Sequence, residues 1–285
     1  MNQRTTLITG ATQGLGRAIA LDLASRGHSL LLHGRDHTRL ETVAAEILAT
    51  APDTTIRTYP ADLADLDQVH AMATRIRTAE PRLDGLVNNA VAGGGADPLR
   101  RELSRQGHEL RFAVNHLAPY ALTRDLLPLL TASAPARVVN VASIGQEAID
   151  FRDVMLERNY QGLRAYCRSK LAMIMATFEL AAELDGTGVT VNTLHPAHLM
   201  DTDGVREYGL TPVTSVDEGV RPTVRLLIDP DLATTTGHYF DQFTDTRAHD
   251  QAYDTAARRR LMKLTNGLIS QAPAAERIQR VDVGR

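Results

Sequence analysis

The sequence contains one cysteine and no tryptophan, and these scarcities exclude some classes of protein. Cys167 has no second cysteine to pair with, so an internal disulfide is impossible and nothing ties the protein to an oxidising compartment. Because the chain also has only 5 phenylalanines, we do not expect an aromatic platform for single-stranded nucleic acid. A formal net charge of -3 leaves no basic excess to neutralise phosphates, so no nucleic-acid partner is expected.

Long apolar stretches are also missing. The longest runs, such as residues 171–176, are far shorter than the ~20 residues of a membrane-spanning helix, so no membrane span is expected. Residues 1–8 lack a charged segment followed by a long apolar one, so we expect no signal peptide. With 285 residues, 43% of them hydrophobic, the chain can bury a full core, and we predict a cytoplasmic protein with a single domain over 1–285.

Short apolar segments alternate with longer helical patterns along the chain. The pattern predicts six strands, at 6–9, 29–33, 55–59, 83–87, 137–141 and 189–194. It predicts helices at 16–26, 39–49, 66–79, 108–130 and 164–184. Such alternation is typical of an α/β fold, a doubly wound (Rossmann) parallel sheet with helices on both faces. Ligands of such sheets bind at the carboxyl ends of the strands.

Two segments interrupt this alternation, after the fifth and sixth predicted strands. Residues 144–163 are unusually long for a connection, and residues 198–220 are polar and contain glycine. Both would overhang the ligand crevice, so we predict that they form a substrate loop and a lid. The second segment predicts a partly apolar pocket through Leu199, Met200, Val205, Tyr208 and Leu210. Residues 237–285 would form a C-terminal extension.

A glycine-rich turn follows the first predicted strand and opens the first helix, with the sequence Thr9-Gly10-Ala11-Thr12-Gln13-Gly14-Leu15-Gly16. Glycines let backbone N–H groups approach a phosphate that a Cβ atom would block, and a helix N-terminus adds partial positive charge. A tight turn alone would also account for the glycines, but the position on the first strand-to-helix turn favours dinucleotide binding. The predicted cofactor contacts here are Gly10, Thr12, Gln13, Gly14, Leu15 and Gly16.

The residues after the second strand indicate which dinucleotide binds. Sites that prefer NAD place an Asp or Glu there, whereas this chain has Arg35, 19 residues beyond Gly16. A guanidinium suits the 2′-phosphate of NADP, so we predict NADP(H), with NADPH preferred over NADH. Asp36 is counter-evidence, and we expect it to point elsewhere or to pair with an arginine. Asp62 and Leu63 would border the adenine, although an Asp at this place could equally cap the next helix.

Four polar side chains indicate an acid/base site. Tyr166 and Lys170 are four residues apart, so they share one face of a predicted helix, where an ammonium favours the phenolate and lowers its pKa. Ser143 ends the fifth strand and could hold a substrate oxygen beside Tyr166. Asn115 could hold a water in a relay to Lys170. Each alone could be a surface pair, a helix cap or a satisfied polar residue, but their combination with the glycine loop favours catalysis.

In these motifs the chain resembles the short-chain dehydrogenase/reductase family, and the match covers essentially the whole chain. The markers are Thr9-Gly10-x-x-x-Gly14-x-Gly16, Asn88-Asn89-Ala90, Asn115, Ser143, Tyr166-x-x-x-Lys170 and His195-Pro196-Ala197. Within the family the chain is most similar to the retinol-dehydrogenase-like branch, through residues 33–36, 84–90, 114–117, 165–172 and 188–192. The long separation of Ser143 from Tyr166 also fits that branch.

The resemblance implies a role for each of these residues. Tyr166 would donate the proton in reduction, and Lys170 would bind the nicotinamide ribose and lower the Tyr166 pKa. Ser143 would orient the carbonyl, and Asn115 would support the proton relay. Further cofactor contacts would come from Asn89, Ala90, Val91, Pro196, Ala197 and His198. Val91 and Ala197 stand where the family usually has glycine, and both place side chains near the cofactor. The resemblance also implies a homodimer or homotetramer.

The leading hypothesis is an NADP(H)-dependent oxidoreductase that interconverts a carbonyl and an alcohol on a small, lipophilic substrate. An epimerase or dehydratase on the same fold is one alternative, but the 65 residues after Val220 are few for the substrate domain it would need. A non-catalytic dinucleotide-binding sensor is a second alternative, and it would not need the four catalytic side chains together.

No metal site is predicted, because His195 and His198 lack a second ligand pair. Arg17 is either a further phosphate partner or a solvated helix charge.

Overall fold

A computed structural model describes residues 3–93, 97–207 and 209–270 of the chain. They contain an eight-stranded sheet in the order β3-β2-β1-β4-β5-β6-β7-β8. The strands are β1 (Thr5–Ile8), β2 (Ser29–Gly34), β3 (Ile56–Pro60), β4 (Gly85–Asn88), β5 (Ala136–Val141), β6 (Val189–His195), β7 (Tyr239–Asp241) and β8 (Thr244–Thr246). All neighbours pair in parallel except β7 and β8, so the predicted doubly wound parallel sheet is confirmed.

Helices cover both faces of the sheet. On one face α1 (Gly14–Ser25), α2 (His37–Thr50) and α8 (Val216–Ile228) bury their apolar side chains against the strands. On the other face lie α3 (Leu66–Ala79), α5 (Ala118–Ala132), α6 (Gly162–Glu183) and α9 (Thr255–Ile269). The other helical pieces are α4 (Leu110–Phe112), a π-helical segment (Ala113–Leu117), α7 (Asp203–Glu207) and 3₁₀ turns at Pro230–Leu232 and Asp250–Tyr253. This layering makes one α/β domain.

The chain reverses its direction of winding at the centre of the sheet. β1 pairs with β2 on one side and with β4 on the other. Between the carboxyl ends of two such strands a parallel sheet opens a crevice in which ligands bind. Gly10 follows β1 and Asn89 follows β4, so the glycine loop lies at this crevice.

The structure extends the predicted alternation toward the C-terminus. β7 and β8 have three residues each, and neither was predicted. α8 begins inside the segment 198–220 assigned to a lid, where Ser215 and Glu218 form a capping box. The predicted lid therefore includes the first turn of a helix that packs on the sheet.

The predicted helix over 108–130 is divided by the π-helical segment. Pro119 is the second residue of α5, directly after the π-helical segment, and Pro128 lies inside α5. The i→i+5 bonding of a π segment widens the helix locally and is often found at functional sites. Here it carries Asn115.

α9 packs across α6 and the π-helical segment. Nε2 of His116 lies 2.7 Å from the hydroxyl of Thr265, and Arg258 pairs with Glu179 at 2.6 Å. Residues 271–285 of the predicted extension, like Tyr208 of the predicted lid, lie outside the described residues. Within the described ranges, no helix is both long and apolar enough to cross a membrane.

Candidate active site

Side-chain hydrogen bonds join the glycine loop to the end of β4. The hydroxyl oxygen of Thr9 accepts the N–H groups of Asn89 at 2.9 Å and Ala90 at 3.0 Å. Nδ2 of Asn89 donates to the carbonyls of Thr9 at 2.9 Å and Gly10 at 3.3 Å. The family resemblance implies a cofactor contact at Asn89, and in the structure its side chain also holds the glycine loop.

The loop glycines leave backbone where side chains would stand. Gly10 and Gly14 have positive φ angles of 67° and 51°. A Cβ atom placed on Gly16 would lie 2.2 Å from the carbonyl oxygen of Gly10. α1 begins at Gly14, and the N-cap residue Gln13 does not cap the helix with its side chain. An anion can therefore approach the first-turn N–H groups of α1, which fits the pyrophosphate of a dinucleotide.

The ring of His33 also holds the glycine loop, through a hydrogen bond to Gly10. The sequence analysis did not single out this residue. Its ring is buried at the end of β2, where Nδ1 accepts the N–H of Gly10 at 3.3 Å. Nε2 then carries the ring hydrogen and donates to the carbonyl of Ala61 at 3.1 Å. Burial lowers the pKa of His33 to about 4, so the ring is neutral at neutral pH. A lone histidine at the end of the apolar run 30–32 was the available sequence signal.

We expect acid to destabilise the protein through its buried histidines. Burial lowers the pKa of His33 to about 4 and that of His116 to about 3, from ordinary values near 6.5. Because the unfolded chain takes up these protons first, stability falls as the pH drops from 6.5 toward 4. The slope per histidine is ~1.4 kcal/mol per pH unit. Urea unfolding at pH 7.5, 5.5 and 4.5 measures this slope.

A matched pair of variants assigns the effect to His33. His33→Gln should make the unfolding free energy less dependent on pH, by the contribution of one proton, which is ~1.4 kcal/mol per pH unit. His37→Gln removes an exposed histidine and should leave the slope unchanged. An unchanged slope in His33→Gln would contradict the expectation.

The two charged residues after β2 have different environments. Arg35 is exposed, and it makes no hydrogen bond or ion pair with any residue that the structure describes. Asp36 caps α2, where its carboxylate accepts the N–H of Arg39 at 3.2 Å and lies 3.8 Å from the Arg39 guanidinium. The expectation that Asp36 pairs with an arginine is confirmed. Asp36 is therefore engaged by α2, whereas Arg35 is exposed beside it.

Two further arginines lie near the glycine loop. Arg39 donates to Oε1 of Gln13 at 3.3 Å, which places a second guanidinium beside the loop. Arg17 forms a bidentate ion pair with Glu46. Arg39 was missed by the sequence analysis, and the pairing of Arg17 favours the solvated helix charge over a phosphate contact.

The remaining predicted cofactor contacts lie along the same edge. Asp62 accepts the N–H of Ala64 at 2.9 Å in the turn after β3. Asp65 caps α3, so the alternative role of Asp62 as that cap is wrong. The other predicted contacts divide by exposure: Leu15, Leu63, Pro196 and Ala197 are buried, Thr12 and Ala90 are partly buried, and Val91 and His198 are exposed.

Ser143 and Tyr166 meet beside Gly145, at the carboxyl end of β5. A Cβ atom placed on Gly145 would lie 3.5 Å from Oγ of Ser143 and 3.8 Å from Cε1 of Tyr166, so both side chains border one small space. Oγ of Ser143 accepts the N–H of Gly145 at 3.0 Å. Burial raises the pKa of Tyr166, whereas a hydrogen bond with Ser143 lowers it. Such a phenol is protonated at neutral pH and can donate to a substrate oxygen.

Lys170 lies one helical turn from Tyr166. Its Nζ is 5.7 Å from the centre of the Tyr166 ring and donates to the carbonyl of Val141 at 2.7 Å. Burial lowers the pKa of Lys170 to about 7. The sequence predicts that Lys170 lowers the Tyr166 pKa, but in the structure the Tyr166 pKa is raised. The reason is that burial disfavours the charged form of both groups, and a partly deprotonated amine compensates a phenolate weakly.

Asn115 is fully buried and engages the loop after β4. Its Oδ1 accepts the N–H of Ala92 at 2.7 Å, and its Nδ2 donates to the carbonyl of Ala92 at 2.9 Å. Nδ2 also donates to Oγ of Ser169 at 2.9 Å, next to Lys170 on α6. The side chain therefore fixes the loop to the helix that carries Tyr166. It approaches Lys170 through its neighbour rather than through a direct bond.

A ladder of buried amides supports the site from within the sheet. Nδ2 of Asn88 donates to Oγ1 of Thr123 at 3.1 Å and to Oδ1 of Asn140 at 2.8 Å. Nδ2 of Asn140 donates to Oγ1 of Thr177 on α6 at 2.8 Å. These bonds connect β4, β5, α5 and α6. They therefore fix the position of α6 along β5, the strand that precedes Ser143.

The first and later residues of the segment predicted as a lid are hydrogen-bonded to each other. The carbonyl of Leu199 accepts the N–H of Val213 at 2.9 Å, and the hydroxyl of Thr214 donates to the carbonyl of His198 at 2.7 Å. Cγ2 of Thr202 would lie 3.3 Å from a Cβ atom on Gly14, so this segment packs directly over the glycine loop. Thr202 is a further neighbour of the crevice that the sequence analysis did not name.

Comparisons with known proteins cover most of the chain. A family model described as short chain dehydrogenase matches residues 4–211. Retinol dehydrogenase 13 from Homo sapiens is 34% identical over 290 residues, which cover 95% of this chain and 86% of that protein. Retinol dehydrogenase 14 from Mus musculus is 34% identical over 297 residues, which cover 94% and 86%. The Pseudomonas aeruginosa RhlG/NADP active-site complex matches with a TM-score of 0.69 at 27% identity, over 84% of this chain and 94% of that one.

Proposed function

Because this chain belongs to the short-chain dehydrogenase family, in its retinol-dehydrogenase-like branch, we propose that it interconverts a lipophilic carbonyl compound and its alcohol with NADP(H). The membership makes the chain an NAD(P)-dependent oxidoreductase acting on alcohol or carbonyl groups. The single observation that carries the proposal is the meeting of Ser143 and Tyr166 around one small space beside Gly145. A substrate oxygen in that space would contact both hydroxyl groups.

Each side chain of the site has a distinct task in this proposal. Tyr166 donates a proton to the carbonyl oxygen during reduction and accepts it back during oxidation. Ser143 holds the same oxygen by a hydrogen bond and fixes the carbonyl beside Tyr166. Lys170 binds the nicotinamide ribose, and when charged it favours the phenolate form of Tyr166. Asn115 keeps the loop after β4 in register with α6.

The residues present fit a bound dinucleotide. NADP(H), when bound, supplies or accepts the hydride. The backbone from Gly10 to Gly16 would hold the pyrophosphate at the N-terminus of α1. Residues Asp62, Asn89, Val91 and 196–198 would border the rest of the cofactor along the carboxyl edge. Of the two side chains that stand where the family usually has glycine, Val91 is 55% exposed and Ala197 is buried.

Arg35 should select NADPH over NADH. Its guanidinium is exposed at the end of β2, and it would contact a 2′-phosphate that NADH lacks. A charge-assisted hydrogen bond contributes about 1.5–3 kcal/mol, so Arg35→Gln should raise the Kd for NADPH by about 10–100-fold. The Kd for NADH should stay nearly constant. Fluorescence titration of both cofactors measures these constants.

Arg17→Gln is the matched control for this experiment. It removes the same charge next to Gly16, but the Arg17 guanidinium is held by Glu46. The Kd for NADPH should therefore change by less than about 3-fold, under ~1 kcal/mol. Equal weakening of NADPH and NADH binding by Arg35→Gln would overturn the 2′-phosphate assignment.

Apolar side chains near the site favour a lipophilic substrate. Ile144 follows Ser143 directly and is 54% exposed, and Leu163 precedes Tyr166 by three residues and is 61% exposed. Val213, in the predicted lid, is 62% exposed. NADPH oxidation with a panel of decanal, all-trans-retinal, acetophenone and glyceraldehyde tests the proposed reaction. Failure of every carbonyl would overturn it, and preference for glyceraldehyde would overturn the substrate class.

Cellular location and assembly stay predictions from the sequence. We propose that the chain is cytoplasmic and that it forms a homodimer or homotetramer. For the assembly, the family resemblance implies a subunit interface on α6, the helix that carries Tyr166. In the structure α9 occupies part of the α6 surface through the Arg258–Glu179 pair. Light scattering of the purified chain measures the assembly directly.

A further inference from the structure

Two glutamines join the segment after Ser143 to a turn near the C-terminus. Oε1 of Gln146 accepts the N–H of His249 at 2.7 Å, and its Nε2 donates to the carbonyl of Ser143 at 3.1 Å. Gln251 holds Ile149 from the same turn, accepting its N–H at 2.7 Å and donating to its carbonyl at 3.0 Å. Only one of the two glutamines therefore contacts Ser143.

The carbonyl of Ser143 has a second donor. The hydroxyl of Tyr239, on β7, donates to it at 3.2 Å. A carbonyl oxygen has two lone pairs, so Gln146 and Tyr239 together occupy its accepting capacity. The Ser143 peptide is consequently fixed in rotation by two donors, which reach it from the loop and from the sheet.

A displacement of Ser143, whose carbonyl these two donors hold in place, would change the active site directly. Oγ of Ser143, Cε1 of Tyr166 and Sγ of Cys167 lie 3.5, 3.8 and 3.3 Å from the point where a Cβ of Gly145 would stand. The space between the reacting groups is therefore small, and a shift of Oγ changes its distance to the phenol of Tyr166. A misplacement of about 1 Å at a catalytic group can cost about 10²-fold in rate.

We propose that Gln146 is a positioning residue for Ser143, and that through His249 it makes the C-terminal turn a working part of the active site. The proposal rests on the proposed role of Ser143 in orienting the carbonyl. The sequence assigned residues 237–285 only to an extension. The structure gives this region a contact with the main-chain carbonyl of the residue that carries the catalytic hydroxyl.

Three single variants separate positioning from general support. Gln146→Met removes the bonds to Ser143 and His249, and the side-chain hydrogen bond with Tyr239, without adding charge. Gln146→Glu keeps an acceptor for the N–H of His249 but cannot donate to Ser143. Gln251→Met removes two bonds between the same loop and the same turn, away from Ser143. We measure kcat and KM for NADPH with the best carbonyl of the panel, and the melting temperature of each variant.

Both Gln146 variants should lower kcat by about 10–100-fold with little change in the KM for NADPH. Gln251→Met should keep kcat within about 3-fold while it lowers the melting temperature as much as Gln146→Met does. Equal losses of kcat in Gln146→Met and Gln251→Met would overturn the proposal, because general support of the loop would then suffice. Normal turnover in Gln146→Glu would also overturn it, since the bond to His249 alone would be enough.

A double-mutant cycle with Ser143→Ala completes the test. If Gln146 acts through the hydroxyl of Ser143, Gln146→Met should cause no further loss of kcat once that hydroxyl is gone. An undiminished loss in the Ser143→Ala background would overturn the positioning role. A wild-type rate in Ser143→Ala alone would instead count against the proposed function of Ser143, so the two failures are distinguishable.

Discussion

Tyr166→Phe is expected to reduce kcat by about 10³-fold while the Kd for NADPH changes by less than about 3-fold. The substitution removes one oxygen atom and keeps the ring that lies over Lys170. That oxygen is the proposed proton donor, and the raised pKa of Tyr166 keeps it protonated for reduction at neutral pH. Binding should persist because the glycine loop and Arg35 are unchanged. Stopped-flow NADPH oxidation and fluorescence titration measure the two quantities.

Tyr120→Phe is the matched control for this prediction. Tyr120 is a buried tyrosine, and its hydroxyl donates to Asn266 on α9 at 3.2 Å. Its loss should leave kcat within about 3-fold, a difference below ~1 kcal/mol. If Tyr166→Phe keeps a tenth or more of the rate, the proton must come from another group. Tyr239 and Ser143 would be the candidates, since the Tyr239 hydroxyl lies 3.2 Å from the Ser143 carbonyl.

The strand-end residues of the site could be predicted because parallel strands place their carboxyl ends on one edge. Gly10, Asn89 and Ser143 follow β1, β4 and β5, and a strand needs only a short apolar run to be recognised. The four-residue spacing of Tyr166 and Lys170 placed them on one face of a predicted helix. Spacing along the chain could not supply their environment. From spacing alone we expected a charged Lys170 that lowers the Tyr166 pKa, whereas burial raises the pKa of Tyr166 and lowers that of Lys170 to about 7.

The supporting residues were missed because their partners are distant in the sequence. Gln146 bonds to His249, 103 residues away, and His33 bonds to Gly10, 23 residues away. β7 has three residues, too few to show an alternating pattern, and it exists through its pairing with β6. Local pattern thus predicts where a catalytic group is placed, and tertiary contacts determine how firmly it is held.

Gly16→Ala is expected to have the second large effect, raising the Kd for NADPH by about 100-fold or more, at least ~2.7 kcal/mol. The added Cβ would lie 2.2 Å from the carbonyl oxygen of Gly10 and 2.5 Å from Nδ2 of Asn89. The first contact is with backbone, so the glycine loop must move away from α1. That movement also breaks the bonds from Asn89 to Thr9 and Gly10, which fix the loop to β4.

Gly267→Ala separates this steric effect from the substitution itself. Gly267 also lies inside a helix, but no atom within 4 Å of an added Cβ obstructs it in the described part of the chain. Alanine there should stabilise α9 by up to ~1 kcal/mol and leave cofactor binding unchanged. For Gly16→Ala we also expect a lower melting temperature. A displaced Gly10 would lose the hydrogen bond from its N–H to the buried ring of His33. Wild-type NADPH binding in a folded Gly16→Ala variant would show that the loop can yield, and the close contact with Gly10 would then not be what shapes the cofactor site.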